Sequence, residues 1–283
     1  LGVAGLAAAS GAGLFGSSPK PRGPRRVLIT GAASGFGLEL AKRFIARGDS
    51  VIATDLHDAA NEDVVKLGDA CTYRKLDVTS DADWEAAAEA IGAVDVLVLN
   101  AGIAVGGAIE NVTLDTWHRA LDINLLGAVR GCRAFVPLLE PGAQIVMTSS
   151  VAGLIHPIKM STYNATKAAV VALAETVDFE LRERGITTTV ICPQFFQSNL
   201  ASSLTGDDAD ADELARKLLT KTPLTAATVA DRAMKSIDAR RQVVTPDGVA
   251  LVGWYAKRFA RPLYLATMRQ AGKGAKRLAK RGK

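Results

Sequence analysis

A chain of 283 residues, 48% hydrophobic and 22% charged, is long enough for one large globular domain and lacks the composition of a disordered or fibrous protein. Three widely spaced cysteines (Cys71, Cys132, Cys192) and three scattered histidines (His57, His118, His156) form no disulfide framework and no metal-ligand spacing, so a reducing, cytoplasmic setting without a metal centre is expected. The net charge of +5 conceals a division: the 36 residues after Asp247 carry ten Lys/Arg and no acid, leaving 24 Lys/Arg against 29 Asp/Glu, or −5, in the first 247.

Residues 1–24 open with sixteen uncharged residues, five of them glycine. The run is short for a membrane span and has no basic region before it, so it reads as a low-order leader outside the fold. From Arg25 onward short β-rich runs alternate with amphipathic segments. Strands are predicted over 26–30, 51–54, 72–76, 94–99, 144–149, 186–192 and 242–245, and helices over 37–48, 81–92, 114–139 and 163–185. Several strands are nearly continuous apolar runs, as expected where a parallel sheet is covered on both faces. The alternation predicts a single α/β domain over 25–247, a doubly wound parallel sheet of Rossmann type in three α/β/α layers. Residues 248–283 follow as a basic, partly amphipathic extension.

Ligands of such a sheet sit beyond the carboxyl ends of the strands, so the residues that follow each strand carry the functional signal. After the first strand comes TGAASGFG, with Gly31, Gly35 and Gly37 allowing a tight turn and close approach of backbone amides to a pyrophosphate at a helix N-terminus. Asp55 ends the second strand, where a carboxylate accepts hydrogen bonds from adenosine ribose hydroxyls and repels a 2′-phosphate. With no Arg or Lys beside it in the sequence, NAD is favoured over NADP. Asp77, after the third strand, can reach an adenine amino group, and Asn100, Ala101 and Gly102 follow the fourth. Ser34, Phe36, Leu56 and Val78 are counted in the same cofactor-binding set.

Together TGAASGFG, LNAG at 99–102, Asn124 in INLLG, the serine of SSVAG and YNATK at 163–167 resemble a classical short-chain dehydrogenase/reductase over about residues 25–245. The resemblance implies a Rossmann-type domain, nicotinamide-dependent hydride transfer, and a homodimer or homotetramer. It implies a catalytic group of Asn124, Ser150, Tyr163 and Lys167, with Tyr163 and Lys167 also touching the cofactor and Pro193, Phe196 and Ser198 serving the nicotinamide end. Ser150 is preferred to Ser149 by its spacing from Tyr163, and Ser149 is expected to point away. Two segments depart from the family pattern: LNAG stands where NNAG is usual, and PQFFQS has Gln194 where a glycine is usual and Phe196 where a smaller residue is usual.

Tyr163 and Lys167 are four apart and so stack on one helix face. A phenol of pKa about 10 is a poor base at neutral pH, and the ammonium, with the charge of an oxidised nicotinamide, is expected to lower it. Asn124 is expected to hold a water linking Lys167 to solvent. Val105, Leu154, Ile155, Ile158, Met160, Phe195 and Phe196 are expected to wall an apolar alcohol, ketone or aldehyde, with His156 as a further wall residue. The tail pairs Leu251, Tyr255 and Phe259 with a basic end; such a helix can close the pocket, dock on a neighbouring subunit, or rest on a membrane surface. No nucleic-acid partner is expected. Two other classes remain open at this point: a cofactor-binding regulatory or scaffold protein, and a peripheral membrane protein acting through its tail.

Overall fold

The computed structural model describes residues 23–204, 206–246 and 248–281; residues 1–22 of the expected leader lie outside them. The strands are β1 (Arg26–Thr30), β2 (Ser50–Asp55), β3 (Cys71–Lys75), β4 (Val96–Leu99), β5 (Gln144–Thr148), β6 (Thr187–Ile191) and β7 (Val243–Val244). All pair in parallel in the order β3-β2-β1-β4-β5-β6-β7. The order reverses between β1 and β4, which opens a crevice at their carboxyl ends.

Alternation along each strand divides the core. Leu28, Ile52, Leu97, Ile145 and Val190 face one side of the sheet, where α3 (Asp81–Ile91), α5 (Gly127–Phe135) and α7 (Ser161–Leu181) cover them. Val27, Ile29, Val51, Val98 and Ile191 face the other, under α1 (Gly35–Ile45) and α9 (Ala226–Asp238). Buried on both faces, these strands are mainly apolar, and their polar Gln144, Thr187, Thr188 and Thr189 are enclosed as well. Helix starts follow local chemistry: Ser80, Thr113 and Thr225 each accept the backbone N–H three residues on, before α3, α4 (Leu114–Leu121) and α9.

The long helix expected over 114–139 is interrupted. Between α4 and α5 lies a π-turn, Asp122–Leu126, an insertion typical of functional sites. A short α2 (Glu62–Val65) precedes β3, and α6 (Ala152–Ile155) leads into α7. Beyond β6, a 3-10 turn (Asn199–Ser203) and α8 (Ala209–Thr220) form a lid. Finally, α10 (Gly248–Phe259) packs on α6 and on α11 (Arg261–Arg281), whose Tyr264 hydroxyl donates to the Ile155 carbonyl. No helix among the described residues is long and apolar enough to cross a membrane.

Candidate active site

Thr30, at the end of β1, organises the crevice. Its Oγ1 accepts the amides of Asn100 and Ala101 at 2.9 and 3.1 Å. The Asn100 Nδ2 donates to the carbonyls of Thr30 and Gly31 at 3.0 and 3.2 Å, and its Oδ1 accepts the Thr148 hydroxyl at 3.1 Å. These bonds stitch the ends of β1, β4 and β5, so Asn100 lines the crevice while its side chain holds the strands together.

The turn after β1 is built by close approach. Gly31 has φ +64°, and a Cβ there would lie 3.0 Å from the Ala101 Cα. A Cβ on Gly37 would lie 2.2 Å from the Gly31 carbonyl oxygen, so this glycine lets α1 start against the turn. Gly35, at φ +56°, faces open space. The Ser34 side chain does not cap α1, and no acid lies in its first turn. An α-helix N-terminus left in this state favours an anion.

A cavity of about 660 Å³ runs along the crevice. At one end it meets Gly31, Ser34, Gly35, Phe36, Asp55, Leu56, Asp77 and Val78; at its middle, Asn100, Ala101 and Gly102. At the other end are Ser150, Tyr163, Lys167, Pro193, Phe196 and Ser198. Every expected site residue therefore borders it except Gly37 and Asn124. The Asp55 carboxylate accepts the Ala33 amide at 3.0 Å and the Leu56 amide at 2.8 Å, tying the glycine turn to β2. Lys75, distant in sequence, is in register with Asp55 across β2 and β3, but its ammonium pairs with Asp58 at 2.7 Å. Asp77 accepts the amide and hydroxyl of Thr79 at 2.9 and 2.8 Å. At the far end the Ser198 hydroxyl is buried with no partner among the described residues. The uncapped helix start, the open Gly35 and the orphaned Ser198 hydroxyl fit a dinucleotide laid along the crevice.

Three buried side chains converge at the second end. Ser149 donates to the Lys167 carbonyl at 2.7 Å, turned into α7 as expected, whereas the Ser150 hydroxyl accepts the Ala152 amide at 3.1 Å and stands beside Tyr163. The Lys167 ammonium donates to the Thr148 carbonyl at 3.0 Å and lies 5.7 Å from the centre of the Tyr163 ring. Burial pushes the Tyr163 phenol up to about 12, with the Ser150 hydroxyl pulling the other way, and draws the Lys167 ammonium down to about 8. Loss of water around each group is the main cause of both shifts.

Asn124 sits behind this wall in the π-turn. Its Oδ1 accepts the Ile103 amide at 2.8 Å, and its Nδ2 donates to the Ile103 carbonyl at 3.0 Å. A Cβ on Gly102 would lie 3.0 Å from the Asn124 Oδ1 and 3.2 Å from the Lys167 Nζ, so only glycine leaves the space between these groups free. A second cavity of about 10 Å³ is lined by Asn124, Thr30 and Thr148 among others, which is near the minimum for one water.

The apolar wall is partly as expected. Val105, Met160, Phe195 and Phe196 border the large cavity, joined by Leu204 and Leu219 from the lid. Leu154, Ile155, Ile158 and His156 do not. Leu154 and Ile155 pack with the core, Ile158 is exposed, and His156 contacts the Lys257 ammonium at 2.9 Å. Phe196 packs its ring 5.9 Å from that of Phe36, so the bulk in PQFFQS closes the floor against α1. Thr148 and Ser203 were missed in the sequence. Thr148 holds Lys167 and Asn100; Ser203 accepts the Ala104 amide at 2.8 Å and joins lid to crevice. Thr148 could have been found as the polar end of an apolar strand, but nothing local marks Ser203.

Known proteins share this fold. The family described as short chain dehydrogenase matches residues 25–209. The 2-(R)-hydroxypropyl-CoM dehydrogenase of Xanthobacter autotrophicus is 33% identical over 224 residues, covering 74% of this chain and 90% of that protein. The 3-alpha-(or 20-beta)-hydroxysteroid dehydrogenase of Mycobacterium tuberculosis is 39% identical over 173 residues, 59% of this chain and 66% of that protein. A solved short chain dehydrogenase/reductase from Burkholderia phymatum, in complex with NAD, superposes with a TM-score of 0.79 at 29% identity, covering 85% of this chain and 95% of that one.

Proposed function

This chain belongs to the short-chain dehydrogenase family, and from that premise we propose that it interconverts an apolar alcohol and its carbonyl compound, a secondary alcohol with its ketone or a primary one with its aldehyde. We take NAD as the hydride carrier and Tyr163 as the general acid and base. The convergence of Ser150, Tyr163 and Lys167 on one apolar-walled end of the crevice carries this reading.

A bound nicotinamide supplies the hydride acceptor or donor. The chain's own residues manage the proton and the charge. Tyr163 takes the alcohol proton during oxidation and returns it during carbonyl reduction. Ser150 donates to the substrate oxygen as negative charge develops there. Lys167, held by the Thr148 carbonyl, places its ammonium beside the phenol and would hold the nicotinamide ribose. Asn124 and the space kept by Gly102 would retain the water that connects Lys167 to solvent. The uncapped start of α1 would take the pyrophosphate, and Asp55 the adenosine ribose. Asp55 and Asp77 set negative charge around that end, and the pairing of Lys75 with Asp58 leaves it little to offset. That is the basis for NAD over NADP.

The wall of Val105, Met160, Phe195, Leu204 and Leu219 suits an uncharged hydrophobic substrate. In solution we place the protein as a homodimer or homotetramer in the cytoplasm. The experiment is formation of reduced nicotinamide by purified protein with a panel of apolar secondary alcohols, using NAD and NADP in parallel. Turnover with NAD is expected. Turnover with NADP alone would discard the Asp55 argument and keep the chemistry. Tight NAD binding with no turnover across the panel and the matching ketones would overturn the catalytic reading.

A further inference from the structure

Among the described residues, α10 and the first turn of α11 meet the rest of the protein along one side. Ala250 is buried, and a Cβ on Gly253 would touch Ile155 at 3.4 Å. Trp254 packs on the core. Lys257 donates to the Leu154 carbonyl at 2.6 Å, and the Tyr264 hydroxyl donates to the Ile155 carbonyl. Only Ala260 separates the two helices, and it is bonded to both sides, to Ala256 and from Tyr264. At about 100° per residue these contacts form one continuous stripe against α6.

Half a turn away lies a second stripe that no described residue covers. Val252, Tyr255, Phe259 and Leu263 are 69%, 51%, 76% and 66% exposed. The rings of Tyr255 and Phe259 stack, 5.9 Å between centres. A run of four large apolar side chains this exposed is not the scattered pattern of an ordinary surface. Exposed Arg258 and Arg269 run along one edge of it. The rest of α11 adds further Lys/Arg, and no acid follows Asp247.

We infer that this outer face of α10 and α11 docks on an anionic lipid surface. The charge decides the occupant. A stripe of aliphatic and aromatic residues with arginines along one edge and no acid in its two helices, on a body of net charge −5, is attracted to negative headgroups and can sink its apolar edge among them. The body is repelled by the same surface, which leaves the tail as the contact. A second copy of the chain fits less well. Two aromatic and two aliphatic side chains on one helical edge fall short of the roughly 800 Å² per partner of a stable interface.

The test is flotation of the full chain with vesicles of phosphatidylcholine, with and without phosphatidylglycerol, at low and high salt. The protein is expected to float with the anionic vesicles, to remain behind with the neutral ones, and to be released by salt. The double variant Tyr255→Ser, Phe259→Ser is expected to bind about tenfold more weakly while keeping its turnover of a water-soluble alcohol. Failure of the wild-type chain to float with anionic vesicles overturns the proposal. So does equal flotation of the double variant, which would leave charge alone as the cause. A smaller mass for the variant on gel filtration without lipid would reassign the face to a second copy. The readout is binding, so it stands apart from whether the enzyme reading holds.

Discussion

Burial shifts two ionisable groups of the crevice in opposite directions, raising the Tyr163 phenol to about 12 and lowering the Lys167 ammonium to about 8. The signs give a pH profile for the free enzyme, which kcat/KM reports. Carbonyl reduction needs a protonated Tyr163, present at all pH values below about 12, and a charged Lys167, lost above about 8. Reduction is therefore expected to be level through neutrality and to fall above that pH. Alcohol oxidation, which needs the phenolate, is expected to rise with pH at first. Reduction that stays level two units beyond the lysine value would detach Lys167 from the chemistry. Tyr163→Phe removes the acid without altering the wall, and should lower turnover by about 10²–10⁴-fold. NAD binding, followed by fluorescence titration, should be unchanged; near wild-type turnover would refute the assignment. The stacked pair was legible because four-residue spacing fixes one helix face. The direction of the Tyr163 shift was not, because it depends on how deep α7 lies, and depth is set by residues far along the chain.

At the scale of elements, Gly153 controls how α6 meets α7. A Cβ there would lie 2.6 Å from the Lys167 carbonyl carbon and oxygen, so the two backbones are in direct contact beneath the Tyr163–Lys167 pair. Gly153→Ala should push α7 outward, destabilise the protein by about 1–3 kcal/mol, and lower kcat more than NAD affinity. Urea unfolding and steady-state kinetics on the same sample would check both halves; an unperturbed kcat would mean that the contact does not position the pair. The run VAGLIHPIKM was readable as apolar and close to Ser150. Which of its residues face substrate was not, because Leu154 and Ile155 are turned toward the core and α10. The π-turn that presents Asn124 was equally hidden, since Asp122–Leu126 has no composition that separates it from an α-helix. The strands and the ends that carry Gly31, Asp55, Asp77 and Asn100 were legible for the opposite reason: apolar runs and turn residues are local signals.

The whole molecule joins a finished sheet to an added pair of helices, and the join has a measurable strength. All seven strands end by Val244, and the two faces of the core are built almost wholly from residues before that point. Deleting residues 248–283 should leave a protein that still unfolds in one cooperative step. What it loses is the cover on α6: the packing of Trp254 on the core and the bonds from Lys257 and Tyr264 to the Leu154 and Ile155 carbonyls. Burial of one large side chain contributes about 2 kcal/mol, which for a domain of this size lowers Tm by roughly 4–8 °C. The charge shifts from +5 to −5 with the ten cations removed, so the shortened chain should bind an anion exchanger where the full chain does not. NAD affinity should hold, because no residue of α10 or α11 borders the large cavity. Calorimetry decides between two architectures. A single transition a few degrees lower means that the tail is an addition to a complete domain; no transition at all means that the domain includes it.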